Sequence, residues 1–315
     1  MQELTLPKKR LFSKEKFKRF KNQLDIQTMV WPGIIFLFIF SYIPMYGILI
    51  AFKDYSIVST IAESDWVGFR YFQQFLTNDN FIRALRNTLA MNMIGLAIGF
   101  PAPLIFALLL NEISNQRFKR LTQTISYLPH FLSWVIYGGL LISLFSLDTG
   151  VVNDVLVRTG LIERPIFWWG EPRYFWVLAI LTNMAKSIGW GAILYLAAIA
   201  GVDSQLYEAA VIDGASRFKR VWHVTIPGIT GTIVILMIFT IANSFNYGFD
   251  QIWILQNNLN VSTSEIIDTY IYKTGLSQMR FSYAAAVGVS RAVIAMILLV
   301  LANFTSKKIT EQGLF

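Results

Sequence analysis

Glu208-Ala209-Ala210-Val211-Ile212-Asp213-Gly214, then nine residues, then Val224-Thr225-Ile226-Pro227: this run is a polar island between two long apolar segments. Its local chemistry predicts two short helices. Asp203 and Ser204 can cap the first, which runs through Asp213. Gly214 supplies the left-handed residue that ends it. Ser216 can cap the second, and Pro227 stops it as the next apolar segment begins. Ala209, Ala210 and Ala215 make a lean inner surface, Phe218 and Trp222 give apolar anchors, and Glu208, Arg217, Lys219 and Arg220 give charge. The local chemistry fits a loop that caps a bundle as well as a projection that docks into another protein.

The flanking segments set the solvent. The 315 residues are 55% hydrophobic and 15% charged, with mean hydropathy +0.50, whereas soluble domains carry about 25% charged residues. A span needs roughly 20 mainly apolar residues, and six blocks qualify: 29–52, 88–111, 121–146, 174–202, 228–248 and 282–304. The reading is an all-α membrane protein with six transmembrane helices. Pro44, Pro101, Pro103 and Pro129 lie inside these blocks and predict bent helices packed in a bundle. Gly189, Gly191, Ala197 and Ala198 allow close helix approach in the fourth.

The net charge of +8 points to a membrane surface and not to nucleic acid, because eight basic residues precede the first block within positions 1–21. That block is too long for a signal-peptide core and no small-residue cleavage site follows it. The organisation is a basic tail over 1–28, with Phe12–Phe20 as either an interfacial amphipathic helix or a disordered segment, then a six-span domain over 29–315 with the polar loop at 203–227. Six spans put both termini on one side. Placing the tail in the cytoplasm gives sixteen basic residues on that side against nine over the longer outer loops, so both termini and the 203–227 loop are expected to be cytoplasmic. Trp66, Trp168, Trp169, Trp176 and Trp253 sit near outer span ends, as interfacial anchors would.

Several chemistries are disfavoured. There is no cysteine, and His130 and His223 lack ligand spacing, so no metal site is expected. No catalytic constellation suggests an enzyme. Neither inverted repeats nor an intramembrane carboxylate suggests an ion-driven secondary transporter, the alternative considered. No GxxxxGK[ST] phosphate loop is present, so the chain is not itself an ATPase.

The spacing Glu-Ala-Ala, three residues, Gly, nine residues, Val-x-Ile-Pro resembles the EAA loop of binding-protein-dependent ABC importer permeases, with Val224 and Ile226 in place of Ile and Leu. The six-span layout extends the likeness along the chain, which looks most like the maltose and glycerol-phosphate branch and, within it, the permeases of oligosaccharide and uronate-polymer importers, alginate-type ones among them. The resemblance implies a type I importer bundle in a bacterial inner membrane. It also implies a second homologous permease subunit, a homodimeric ABC ATPase carrying ATP and Mg²⁺, an extracellular or periplasmic solute-binding protein and a carbohydrate substrate. Glu208, Ala209, Ala210, Asp213, Gly214, Arg217, Phe218 and Pro227 would form the ATPase-coupling element.

Polar residues within spans usually face a cavity or a partner helix. The candidates for a substrate pathway are Tyr127, His130, Trp134 and Tyr137 in span three, Asn183, Lys186 and Trp190 in span four, Asn243, Asn246 and Tyr247 in span five, and Arg291 in span six. Amides pair with sugar hydroxyls and aromatic faces stack on pyranose rings. In the resembled maltose-type permeases, asparagines before and after the EAA loop line the pocket, at distances comparable with Asn183 and Asn243. No carboxylate is apparent in mid-span to balance Lys186 and Arg291, so the counter-ion is expected from a partner chain, backbone carbonyls or an anionic sugar.

Overall fold

The computed structural model describes residues 24–243 and 248–310. The segment Phe12–Phe20, Asn246 and Tyr247 lie outside the described residues, as does the side chain of Asn243. In chain order the helices are α1 (Leu24–Leu37), α2 (Arg70–Leu76), α3 (Asp79–Ile94), α4 (Pro101–Glu112), α5 (Gln116–Phe131), α6 (Trp134–Leu144), α7 (Val151–Arg158) and α8 (Pro172–Ala200). They continue with α9 (Ser204–Ile212), α10 (Arg217–Arg220), α11 (Thr230–Asn243), α12 (Phe249–Leu255), α13 (Val261–Ser264), α14 (Ile267–Tyr272) and α15 (Phe281–Thr310). Strand pairing among the described residues is limited to an isolated Lys53–Trp66 bridge.

Four helical runs are long and apolar enough to cross a membrane unbroken: Thr28–Phe52, Asp79–Glu112, Pro172–Ala200 and Phe281–Thr305. Two further runs are bent pairs, one spanning the third expected block and one joining the end of the expected 203–227 loop to the fifth. Gln116–Phe131 meets Trp134–Leu144 at 105°, and Arg217–Gly228 meets Thr230–Ile241 at 67°. Pro129, which has no N–H to donate, sits just before the first break. Leu132 and Ser133 then go extended, and the Ser133 hydroxyl caps the new helix by accepting the Ile136 N–H. In the second pair Pro227 does not stop the helix where the sequence suggested. It occupies the first positions of a single turn, Ile226–Gly228, and the break falls at Ile229.

The second span absorbs its prolines differently. Between α3 and α4 the chain widens into a π-type turn at Gly95–Gly99, which accommodates the missing N–H groups of Pro101 and Pro103. Close crossings follow the predicted glycines. A Cβ on Gly189 would collide with the backbone carbonyl of Ser126, and one on Gly191 would come within 3.0 Å of Pro103.

Three apolar clusters hold the bundle. One joins Ala51, Phe75, Phe81, Tyr270 and Tyr283; a second joins Leu141, Trp169, Phe175, Ile252 and Ile266; a third joins Ala107, Ala192, Tyr195, Ile199 and Ile229. The first two lie at the end opposite the 203–227 loop, hereafter the far end. Trp169 is therefore core, only 3% exposed, and not an interfacial anchor. Trp66 remains 63% exposed.

The far end also carries a buried ion-pair network. The Glu265 carboxylate accepts from Lys273 Nζ at 2.8 Å and lies 3.9 Å from Arg83, while Lys273 also donates to Gln256 at 2.6 Å. Asn87 on α3 donates to the carbonyls of Ser262 and Glu265. Arg291 on α15 pairs with Asp268 on α14. The counter-ion for Arg291 is thus supplied by its own chain. The sequence obscured this because Asp268 falls in a segment that reads as an outer loop but folds back against the last helix.

Candidate coupling loop and interior cavity

The 203–227 loop folds closely as its residues predict. Asp203 Oδ1 accepts the Gln205 N–H at 2.9 Å and starts α9. Gly214 has φ +73°, and the Ala215 N–H returns to the Ala210 carbonyl at 2.8 Å, a left-handed helix terminus that glycine adopts without penalty. Ser216 Oγ accepts the Lys219 N–H at 3.4 Å, opening α10. Tyr207 on α9 donates to Thr225 at 3.0 Å, which ties the first arm to the chain after the second. Arg217 reaches within 4.0 Å of Glu112, linking the loop to the end of α4.

Between the two arms lies a shallow, open depression of about 340 Å³ lined by Ala210, Ala215, Lys219, Arg220, His223 and Val224. Ala209 faces outward instead of into it. Glu208, Asp213 and Gly214 are exposed, and Phe218 is 75% exposed and stacks in parallel with Trp222 at 6.3 Å. Ile212 is 86% exposed. An apolar and charged surface thus sits at the tip of a capped, hydrogen-bonded bend, with its anchors Phe218 and Trp222 stacked on each other and otherwise largely exposed.

The second feature is a partly open cavity of about 270 Å³ between α3, the Gly95–Gly99 turn, α4, α8, α11 and α12. Of the pathway candidates with described side chains, Asn183 lines it. Its walls are mostly apolar (Met91, Leu96, Phe100, Met184), with polar groups clustered at Thr88, Asn92, Ser187, Thr240 and Gln251. Gln251 Nε2 is spent on the Ala179 carbonyl at 2.6 Å, and Thr88, Ser187 and Thr240 donate to their own helices. Asn92 Nδ2 is buried with no partner, and the Asn183 side chain has none among the described residues. These two amides are free donors in the cavity, and the Tyr195 hydroxyl, which also lines it, has no hydrogen-bond partner among the described residues. Asn92 was missed in the sequence, although it is a polar residue in the second apolar block and met the criterion that selected Asn183.

The other candidates assemble elsewhere. His130 lies parallel to Trp190 at 4.4 Å, and Phe131 meets the same indole edge-on. Lys186 is 7% exposed and donates to the backbone carbonyls of Pro129, His130 and Leu132 at 2.7, 3.0 and 2.5 Å. Trp134 and Tyr137 flank its ammonium at 5.6 and 5.5 Å, and Tyr137 donates to the Thr182 carbonyl. Tyr127 is half-buried on α5. Lys186 and Arg291 are therefore both engaged by partners within the chain.

Residues 99–311 match the family model described as "Binding-protein-dependent transport system inner membrane component". Protein LplB of Bacillus subtilis (strain 168) is 45% identical over 94% of this chain and 92% of its own length. The polygalacturonan/rhamnogalacturonan transport system permease protein YteP of the same organism is 43% identical over 97% and 96%. A crystal structure of a bacterial ABC transporter involved in import of the acidic polysaccharide alginate contains a chain that superposes with TM-score 0.88, at 36% identity over 94% of this chain and all of that one.

Proposed function

The chain belongs to the family of binding-protein-dependent transport system inner membrane components, and from that premise we propose that it is the membrane-spanning permease subunit of an ABC importer for oligo- or polysaccharide. It lies in a bacterial inner membrane with both termini and the 203–227 loop in the cytoplasm. It pairs with a second, homologous permease subunit and receives cargo from a solute-binding protein on the outer side. It contributes no catalytic group; ATP and Mg²⁺ belong to separate ATPase subunits. The likeness to YteP and to the alginate transporter supports saccharide cargo, uronate-containing polymers included.

The observation that carries this reading is the exposed bend α9–Gly214–α10. Its Glu, Ala, Ala, Gly and Pro positions are intact, and its apolar tip residues Ile212 and Phe218 project away from the chain. Closure of an ATPase pair around two such loops would move α9 and α10 and, through the helices they join, switch the bundle between inward- and outward-open states. The cavity, with its free amides on Asn92 and Asn183, suits sugar hydroxyls. Its volume is near the lower end of ordinary ligand pockets, so it accommodates a short part of a longer saccharide.

The test is substitution of Glu208 and Gly214 together in the complex purified through a tag on this chain. Insertion and assembly should persist while saccharide-stimulated ATP hydrolysis disappears. Stimulation at the wild-type level would count against the docking role. Because Lys186 is held by carbonyls, Lys186→Gln should leave any preference between neutral and oxidised oligosaccharides unchanged, measured as uptake into vesicles.

A further inference from the structure

The break between α5 and α6 presents a physical problem. A helix that ends inside the bundle leaves its last carbonyls without N–H partners, and in a hydrocarbon environment each such group costs several kcal/mol. Here the carbonyls of His130 and, in the extended link, Leu132 have no backbone partner among the described residues, while that of Pro129 accepts the Leu132 N–H at 3.3 Å. A buried lysine with no carboxylate is a second, equal problem. The chain solves both with one contact. The Lys186 ammonium fills the end of α5 with three donors to three acceptors, at the negative pole of the helix dipole. The faces of Trp134 and Tyr137, both on α6, complete its cage. One side chain on α8 thus touches the last turn of α5, the link and the first turn of α6.

We propose that Lys186 is a positioning residue that pins the α5–α6 elbow to α8, so that movement of the coupling loop reaches the membrane bundle as rotation at Leu132–Ser133. Below the pin, α5 and α8 are locked together by the Gly189–Ser126 approach and the His130–Trp190 stack and move as one body. Above it, α6 packs on α12, with Gly138 against Ile254. The same helix, α8, runs through Gly201 directly into α9. Displacement of α9 therefore enters the bundle along α8 and meets the elbow at Lys186. The mechanical part of this inference rests on the importer reading; the pinning itself does not.

The chain has no cysteine, so a spin-label pair at Leu128→Cys and Leu140→Cys, one on each side of the elbow and both exposed, reports its angle directly in the purified complex in lipid nanodiscs. Wild type and Lys186→Arg should give one narrow distance distribution by double electron–electron resonance. Lys186→Met, similar in length but uncharged, should broaden or shift it. In the same samples Lys186→Met should keep basal ATP hydrolysis and lose stimulation by saccharide-loaded binding protein about tenfold, a size typical of mutations that uncouple distant sites. Lys186→Arg should restore it. A wild-type distribution together with wild-type stimulation in Lys186→Met overturns the proposal. An altered distribution with no stimulation even in the wild type leaves the pin standing and sinks the importer reading. If Lys186→Met does not assemble, Lys186→Gln takes its place, since a single amide cannot donate to all three carbonyls; an unchanged distribution there overturns the proposal, and a broadened one supports it.

Discussion

At Gly189 the missing side chain is the functional group. Its α-carbon faces the Ser126 carbonyl so closely that even alanine must push two helices apart, and overpacking of this kind costs about 1–3 kcal/mol. Gly189→Val should lower the melting temperature of the purified complex, whereas Gly139→Val, which meets open space, should leave it unchanged. Arg291 makes a complementary case. Removing one partner of a largely buried pair strands the other charge, a loss of about 3 kcal/mol when burial is complete and less here because both side chains retain some exposure. Arg291→Met should therefore destabilise, and the double variant with Asp268→Asn should recover most of the loss in the same melt. The glycine was legible because small residues in an apolar block have a short list of uses. The arginine's partner was not, because pairing across twenty-odd residues depends on a fold-back that hydropathy does not register.

Among elements, α9 and α10 were the most legible, since each boundary is written in a cap: Asp203, Gly214 and Ser216 all act as their side chains or φ values dictate. Deleting a cap costs about 1 kcal/mol. Asp203→Ala should therefore speed amide hydrogen exchange across 204–213 severalfold, about fivefold for a loss of that size, with the flanking part of α8 unaffected. The elbow between α5 and α6 was only half legible. Pro129 foretold a bend, but its place and 105° angle come from Ser133 taking over as a new cap and from Lys186 arriving from a distant helix. Neither is visible in a periodicity. The π-type turn at Gly95–Gly99 escaped notice for the same reason: prolines mark strain, while the backbone's way of relieving it depends on what packs alongside.

For the molecule as a whole, composition and charge bias were sufficient to give an all-helical membrane bundle and an expected orientation. The orientation can be read in one measurement. In this cysteine-free chain, expressed without the ATPase, Ile212→Cys (86% exposed) should react with a membrane-impermeant maleimide in inside-out vesicles, and Val58→Cys (90% exposed) in right-side-out vesicles; the reverse pattern would place the 203–227 loop outside the cell. The distribution of polar contacts has a further consequence. Glu265, Lys273, Asn87, Asp268 and Arg291 stitch the far end together across three helices, while at the loop end the ion pairing among described residues is a single exposed contact, Arg217 to Glu112. Salt-bridge chemistry is thus concentrated away from the loop, so a push on α9 meets apolar packing and hydrogen bonds before it reaches any buried ion pair.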